Sequence, residues 1–402
     1  LMITIDCRHP EIETFIDIKR DRKKVTGANI SIRFNDDFMR CVENDESYDL
    51  RWPVEAEVSD AIVVKQVRAR DVWEKFVDAA HECAEPGALF WDRITAGPAD
   101  CYSDVGYRTS ATNPCAEIPL SPYDSCRLMV NNLIKYVLNP YTENAVFDFE
   151  TFDKNVMKAQ RLMDDLIDLE IEAIDRILEK IFADPETDTI KQIEINLWNK
   201  IREATLGGRR TGLGPTAVGD ALAALGLKYG SDESIEMTER IYRAHAIAAY
   251  KSSIIMAKER GAFPVYDASF EEGNEYLDRI NAELPDEIND MRLKYGRRNI
   301  ALLTTAPVGS VSCLTQTTSG IEPPYLLSYK RRKKIVEHDA DTRVDFVDDM
   351  GDRWQEFTVY HHGVKDWMNA TGKTEIDESC PYSGATSTEI DWVQSVKIQA
   401  AA

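Results

Sequence analysis

The 402-residue chain has no run of about 18 apolar residues, the least a membrane-spanning helix needs. It has no basic n-region followed by an apolar h-region, so no secretion signal is read and a cytoplasmic location is expected, with no membrane partner. It contains no CxxC, and none of its eight cysteines pairs with histidine at zinc-ligand spacing, which argues against a structural zinc site. Positive charge is scarce: 48 Lys+Arg stand against 70 Asp+Glu, a formal net charge of -22. That balance argues against a broad electrostatic grip on nucleic acid. A small phosphorylated ligand is still compatible, because a few backbone N–H groups at a helix start can hold one phosphate. Repeats, low-complexity tracts and Pro/Ser-rich linkers are absent too, so residues 1–402 read as one domain.

What is present alternates short β-type runs with longer helical patterns, the mark of an α/β protein with a mostly parallel sheet. "ANISIRF" (28–34) reads as a half-buried strand and "NIALLTT" (299–305) as a compact apolar one. Over 71–85, Val72, Trp73, Phe76, Val77 and Ala80 fall on one helical face. From 151 to about 182, Phe152, Val156, Leu162, Leu166, Ile167, Ile171 and Ile174 predict one long helix or two. Residues 214–226 read as a short helix, and 231–261 as a long one capped by Ser231 and stopped by Gly261. The apolar opening "LMITID" and a closing helical pattern that reaches Ala402 without a stop signal point to a piece of something longer.

One stretch carries chemistry. "TNPCAEIPL" (112–120) places an amide, a thiol and a carboxylate at Asn113, Cys115 and Glu117, among prolines that oppose helix. In an extended segment these side chains point the same way. A second thiol, Cys126, follows eleven residues after the first. An amide can fix a hydroxyl, a carboxylate can take a proton, and two thiols can supply electrons by closing to a disulfide. The set suits redox chemistry on a diol, but on spacing alone an ordinary loop with a small buried cysteine is the better-supported reading.

"TNPCAEIPLSPYDSCRLMVNNL" (112–133) closely resembles the finger-loop segment of ribonucleotide reductase large subunits. Further similarity runs in order along the chain: "RHPEIETFIDIK" (8–19), "ANISIRFNDDFM" (28–39), "GRRTGLGPTAVGDALAALGL" (208–227), "RGAFPVYD" (260–267), "TTAPVGSVS" (304–312) and "TSGIEPPY" (318–325). Pro114 and the eleven-residue step look most like the adenosylcobalamin-dependent class II enzymes, since class I large subunits more often carry Leu where Pro114 stands. The resemblance implies a ten-stranded α/β barrel with a central finger loop at about 110–122, incomplete at both ends. It implies reduction of a ribonucleoside diphosphate to the 2′-deoxyribonucleoside diphosphate by a thiyl radical. Alternatives are a class I large subunit fed by a metal-containing small subunit, or a non-catalytic nucleotide-binding remnant.

By the same resemblance Cys115 carries the radical, Glu117 is general base, Asn113 binds the ribose hydroxyls and Cys126 is one of two reducing thiols. The partner thiol is expected before residue 1, and Cys7, Cys41, Cys83 and Cys101 read as core or incidental. Ala306, Pro307, Val308, Gly309, Ser310 and Val311 would bind the substrate phosphates, with Val308 where a hydroxyl residue is usual. The implied cofactor is adenosylcobalamin, and the implied reductant an external dithiol of thioredoxin type. A homodimer is expected for the complete protein, and a companion chain would supply the missing barrel segments if this is one part of a split enzyme. "GGRRTGLG" (207–214) reads as a helix-start turn, adjacent His361 and His362 as a solvated loop, and Glu322 is given no role.

Overall fold

The computed structural model describes residues 1–336 and 343–402. They are mixed α/β and fall into two compact units. One comprises Leu1–Arg127, Leu162–Gly212 and Ser253–Thr304; the other comprises Leu128–Arg161, Leu213–Ser252 and Thr305–Ala402. Among the described residues no helix is long and apolar enough to cross a membrane.

In the first unit, strands Met2–Asp6, Asn29–Phe34 and Gly87–Phe90 form a parallel sheet with Asn29–Phe34 central. Ile30, Ser31, Ile32 and Phe34 are all buried, so this strand is covered on both faces rather than half-exposed, as a central parallel strand must be. Helix Ala69–Cys83 packs Val72, Phe76 and Ala79 into a core with Ile12, Ile16, Phe38 and Leu50. Each such fully buried large side chain contributes about 1.5–3 kcal/mol. Val77, expected on that face, is exposed, because the i, i+4, i+7 stripe centres on Val72, Phe76 and Ala79.

Parallel pairing is a smaller share than the alternation suggested. Ser47–Trp52 with Val63–Arg68, and Ala111–Thr112 with Pro119–Leu120, are local antiparallel hairpins. Among the described residues the strands pair into sheets of two or three, not into a closed ten-stranded ring. Residues 299–305 are no regular strand: they run beside 208–211 through isolated bonds, Ile300 N–H to Gly208 O (2.8 Å) and Thr211 N–H to Ala301 O (3.0 Å).

Residues 151–182 lie within one helix, Phe149–Ala183. Its buried stripe is Phe152, Val156, Met163, Ile167 and Ile174, whereas Leu162 and Leu166 face outward. Asp164 on this helix has no exposed surface. In the first unit it accepts from Arg209 Nε (2.8 Å), Asn299 Nδ2 (3.1 Å), Arg298 Nε (3.2 Å) and Arg260 Nη1 (3.3 Å). Arg209, itself buried, closes helix Asp188–Gly208 in a left-handed conformation at φ 48°.

The second unit has its own buried acid. Asp220, on helix Val218–Ala224, accepts from His361 Nε2 (2.7 Å), Tyr382 Oη (2.9 Å) and the Thr318 N–H (2.7 Å). An antiparallel sheet of Ser328–Lys334, Arg353–Tyr360 and Phe346–Val347 belongs to the same unit. Helix Asp232–Arg260 contributes residues up to Ser252 to the second unit and the rest to the first. Gly261 lies just past that helix with φ 85°, as its stop signal predicted.

Burial alone would raise the Asp164 carboxyl, but Arg209 and then Arg298 hold it below the ordinary carboxylate value. The stability it contributes is complete above the unfolded carboxylate pKa of about 4 and is lost as pH falls through the lower folded value. Asp164→Asn, which strands Arg209 without its main counter-charge, should cost about 3 kcal/mol or more at pH 7, read from urea unfolding by circular dichroism. It should also flatten the loss of stability below about pH 4. Lys154→Ala, at a fully exposed pair with Glu150, should leave the unfolding midpoint unchanged.

Candidate functional site

Residues 111–120 form a hairpin in which Thr112 pairs with Pro119 and Ala111 with Leu120. The chain reverses over 113–118, and Asn113 organises the reversal. Its backbone N–H donates to Ile118 O (3.3 Å), its carbonyl accepts from Ala116 N–H (3.0 Å), and its Oδ1 accepts from Ile118 N–H (3.0 Å). Its Nδ2 donates to Glu117 Oε2. Ala116 sits at φ 67°, which completes the turn. The tip is therefore bent where the sequence suggested an extended run. The amide and carboxylate meet through a hydrogen bond across the turn, and Cys115 stands exposed and free between them. Buried Ile118 and a Thr304 Oγ1 hydrogen bond to the Glu117 carbonyl (2.9 Å) anchor the returning arm.

Cys126 is also exposed and free. Burial and the Glu117 carboxylate push its thiol above the ordinary value; Arg127 pulls it down and Cys115 adds a smaller rise. The two thiols and the carboxylate thus share one electrostatic environment. Beneath them lies a buried charge cluster that the motif reading missed. Asp124 accepts from Arg210 Nε (2.6 Å), while Arg127 donates to Thr205 Oγ1 (2.9 Å) and Arg210 O (3.0 Å) and pairs with Glu170.

"GGRRTGLG" is a helix end running into strand Gly212–Thr216, not a helix start. Residues 207–224 are buried throughout. A Cβ at Gly207 or Gly208 would stand 2.3 or 2.6 Å from the Tyr107 ring system, which is why glycine stands there. Two arginines in such a stretch must find partners, and that rule was the signal available in the sequence.

The candidate phosphate-binding residues lie in the second unit. Helix Gly309–Thr315 begins after Val308, which gives no side-chain cap and whose N–H donates to Ser319 Oγ (3.1 Å). Ala306 and Val308 are buried; Pro307, Gly309, Ser310 and Val311 are exposed. His361 is half-buried on Asp220 rather than solvated, because its ring satisfies that buried acid. Glu322 and His361 line a cavity of about 690 Å³ with Ser319, Tyr325 and Tyr329. Cys7 and Cys41 are buried in the first unit's core, and burial pushes the Cys7 thiol up to about 12. Cys83 and Cys101 are half-buried, and both are free.

Three relatives align along most of this chain. A protein of Thermoplasma acidophilum named vitamin B12-dependent ribonucleoside-diphosphate reductase is 28% identical over 401 residues, 98% of this chain and 44% of the relative. A protein of the same name from Mycobacterium tuberculosis is 29% identical over 332 residues, 82% of this chain and 40% of the relative. A vitamin B12-dependent ribonucleotide reductase of Streptomyces clavuligerus is 27% identical over 380 residues, 83% of this chain and 36% of the relative. The chain thus spans less than half the length of each. The family description "ribonucleotide reductase, barrel domain" matches residues 1–402 from end to end, and the chain belongs to that family.

Proposed function

We propose that this chain is the catalytic-barrel portion of a class II ribonucleoside-diphosphate reductase, acting through a cysteine thiyl radical. The observation that carries the reading is the hairpin tip, where hydrogen-bonded Asn113 and Glu117 flank the exposed thiol of Cys115. The B12 dependence in the relatives' names favours class II over a class I large subunit. Asn113, Cys115, Glu117 and Cys126 standing together favour an enzyme over a non-catalytic remnant. Residues 1–402 are read as one partial catalytic domain of a ten-stranded α/β barrel, with the 111–120 hairpin as its finger. The complete enzyme would be a cytoplasmic homodimer, with a companion chain supplying missing barrel segments if the enzyme is split.

The tip suits a cobalamin: Pro114, Cys115 and Ala116 are exposed and carry no fixed charge, so a bulky corrin can approach the thiol. These residues would face adenosylcobalamin, which when bound supplies the one-electron chemistry that removes the thiol hydrogen. Cys115 as thiyl takes the 3′ hydrogen atom of the ribose. Glu117 accepts the 3′-hydroxyl proton, and Asn113 holds the ribose hydroxyls. Departure of the 2′-hydroxyl as water draws two electrons and two protons from Cys126 and a partner thiol, which close to a disulfide. Cys115 then returns the hydrogen atom to the 3′ carbon, and an external dithiol of thioredoxin type reopens the disulfide. Backbone N–H groups of Gly309, Ser310 and Val311 would hold the phosphates, with Ala306, Pro307 and Val308 shaping the turn; these donors do not depend on a hydroxyl at Val308.

With the flanking barrel segments supplied, the protein should reduce a ribonucleoside diphosphate anaerobically in the presence of adenosylcobalamin and a dithiol. Cys115→Ala should abolish product, and Glu117→Gln should lower kcat by about 10²-fold or more. Deoxynucleotide formation by Cys115→Ala would overturn the assignment. Dependence on a metal-containing radical subunit in place of adenosylcobalamin would establish class I instead.

A further inference from the structure

Cys126 is exposed, yet the chain on either side of it is tied to buried partners. Ser125 N–H donates to Asp124 Oδ1 (2.8 Å), and the Asp124 side chain is almost wholly buried against Arg210. On the other side Arg127 is 5% exposed. Its Nε pairs with Glu170 on helix Phe149–Ala183, and its Nη2 donates to Thr205 Oγ1 on helix Asp188–Gly208 (2.9 Å). Its Nη1 donates to Arg210 O (3.0 Å) and lies 3.7 Å from Asp124 Oδ1. A planar fork satisfied in four directions fixes its own backbone in a way that lysine, a point charge on a flexible stem, cannot.

We infer that Arg127 is a positioning residue for Cys126. By clamping the segment 124–127 to two helices, it keeps the thiol beside Glu117 and Cys115 while its own guanidinium stays buried. This rests on the reading of Cys126 as a redox thiol only for its purpose, since the clamp exists whatever the thiol does. A reducing thiol must reach the sugar in one state and an external dithiol in the other, which calls for a fixed backbone under a free side chain. The charged and titratable groups acting on the thiol are Glu117, Cys115 and Arg127; Lys200, nearby on Tyr123, is a further cation.

The test reads coupling between Glu117 and Cys126 in the complete protein, without catalysis. Iodoacetamide alkylation of Cys126 at fixed pH, followed by peptide mass spectrometry, reports its thiolate fraction. Glu117→Gln removes a facing carboxylate and should speed alkylation about threefold in the wild-type frame. In Arg127→Gln and Arg127→Lys the same Glu117→Gln change should have little effect, because the thiol is no longer held beside the carboxylate. Glu170→Gln removes one leg of the clamp from the surface side, and should reduce the Glu117 effect part-way even if the Arg127 variants fail to fold. An undiminished Glu117 effect in a folded Arg127 variant, or in Glu170→Gln if neither folds, would overturn the proposal. Dithiol-driven turnover by Cys126→Ser would defeat the catalytic reading of that thiol and leave the clamp untouched.

Discussion

Asp164 has no exposed surface and must be met by positive charge or hydrogen-bond donors on every side. Arg209, Arg260, Arg298 and Asn299 meet it, and they come from a helix end, a second helix end and an irregular segment near residue 300. A buried ion pair of this kind adds little net stability over a well-packed apolar replacement, but it is costly to break. The cluster ties the two helix ends and the irregular segment to one buried carboxylate.

The candidate chemistry hangs on the same segments. Arg209 is followed by Arg210, whose guanidinium holds Asp124 two residues before Cys126. Asn299, which donates to Asp164 and to Arg209 O (3.0 Å), leads along the chain to Thr304, whose hydroxyl holds the Glu117 carbonyl. Both arms that carry the candidate groups Glu117 and Cys126 are thus linked back to one carboxylate. Cys115, at the tip, is exposed and free.

Much of this was legible from residue order. The long helix at 149–183 follows apolar spacing, and that at 232–260 follows its capping serine and terminal glycine. Asn113, Cys115, Glu117 and Cys126 stood out by type and spacing. The bent tip did not, because it depends on the Asn113 side chain closing onto Ile118 and on Ala116 at φ 67°, a conformation its residue type does not announce. Nor did the pairing of Asp164, Asp124 and Asp220, since each finds partners scores of residues away. His361 reads as polar loop in sequence and becomes a buried acid's partner only in three dimensions. The strand expected at 299–305 failed for a related reason: its partner, 208–211, has no regular register to offer.

The central claim is that this hairpin removes the 3′ hydrogen of a ribose. Single-turnover reduction of a [3′-²H]ribonucleoside diphosphate by the complete protein tests it most directly. The account predicts slower product formation than with the protiated substrate, with the isotope recovered at the 3′ carbon of the deoxynucleotide. Identical rates, with isotope loss unaffected by substitution of Cys115, would contradict it.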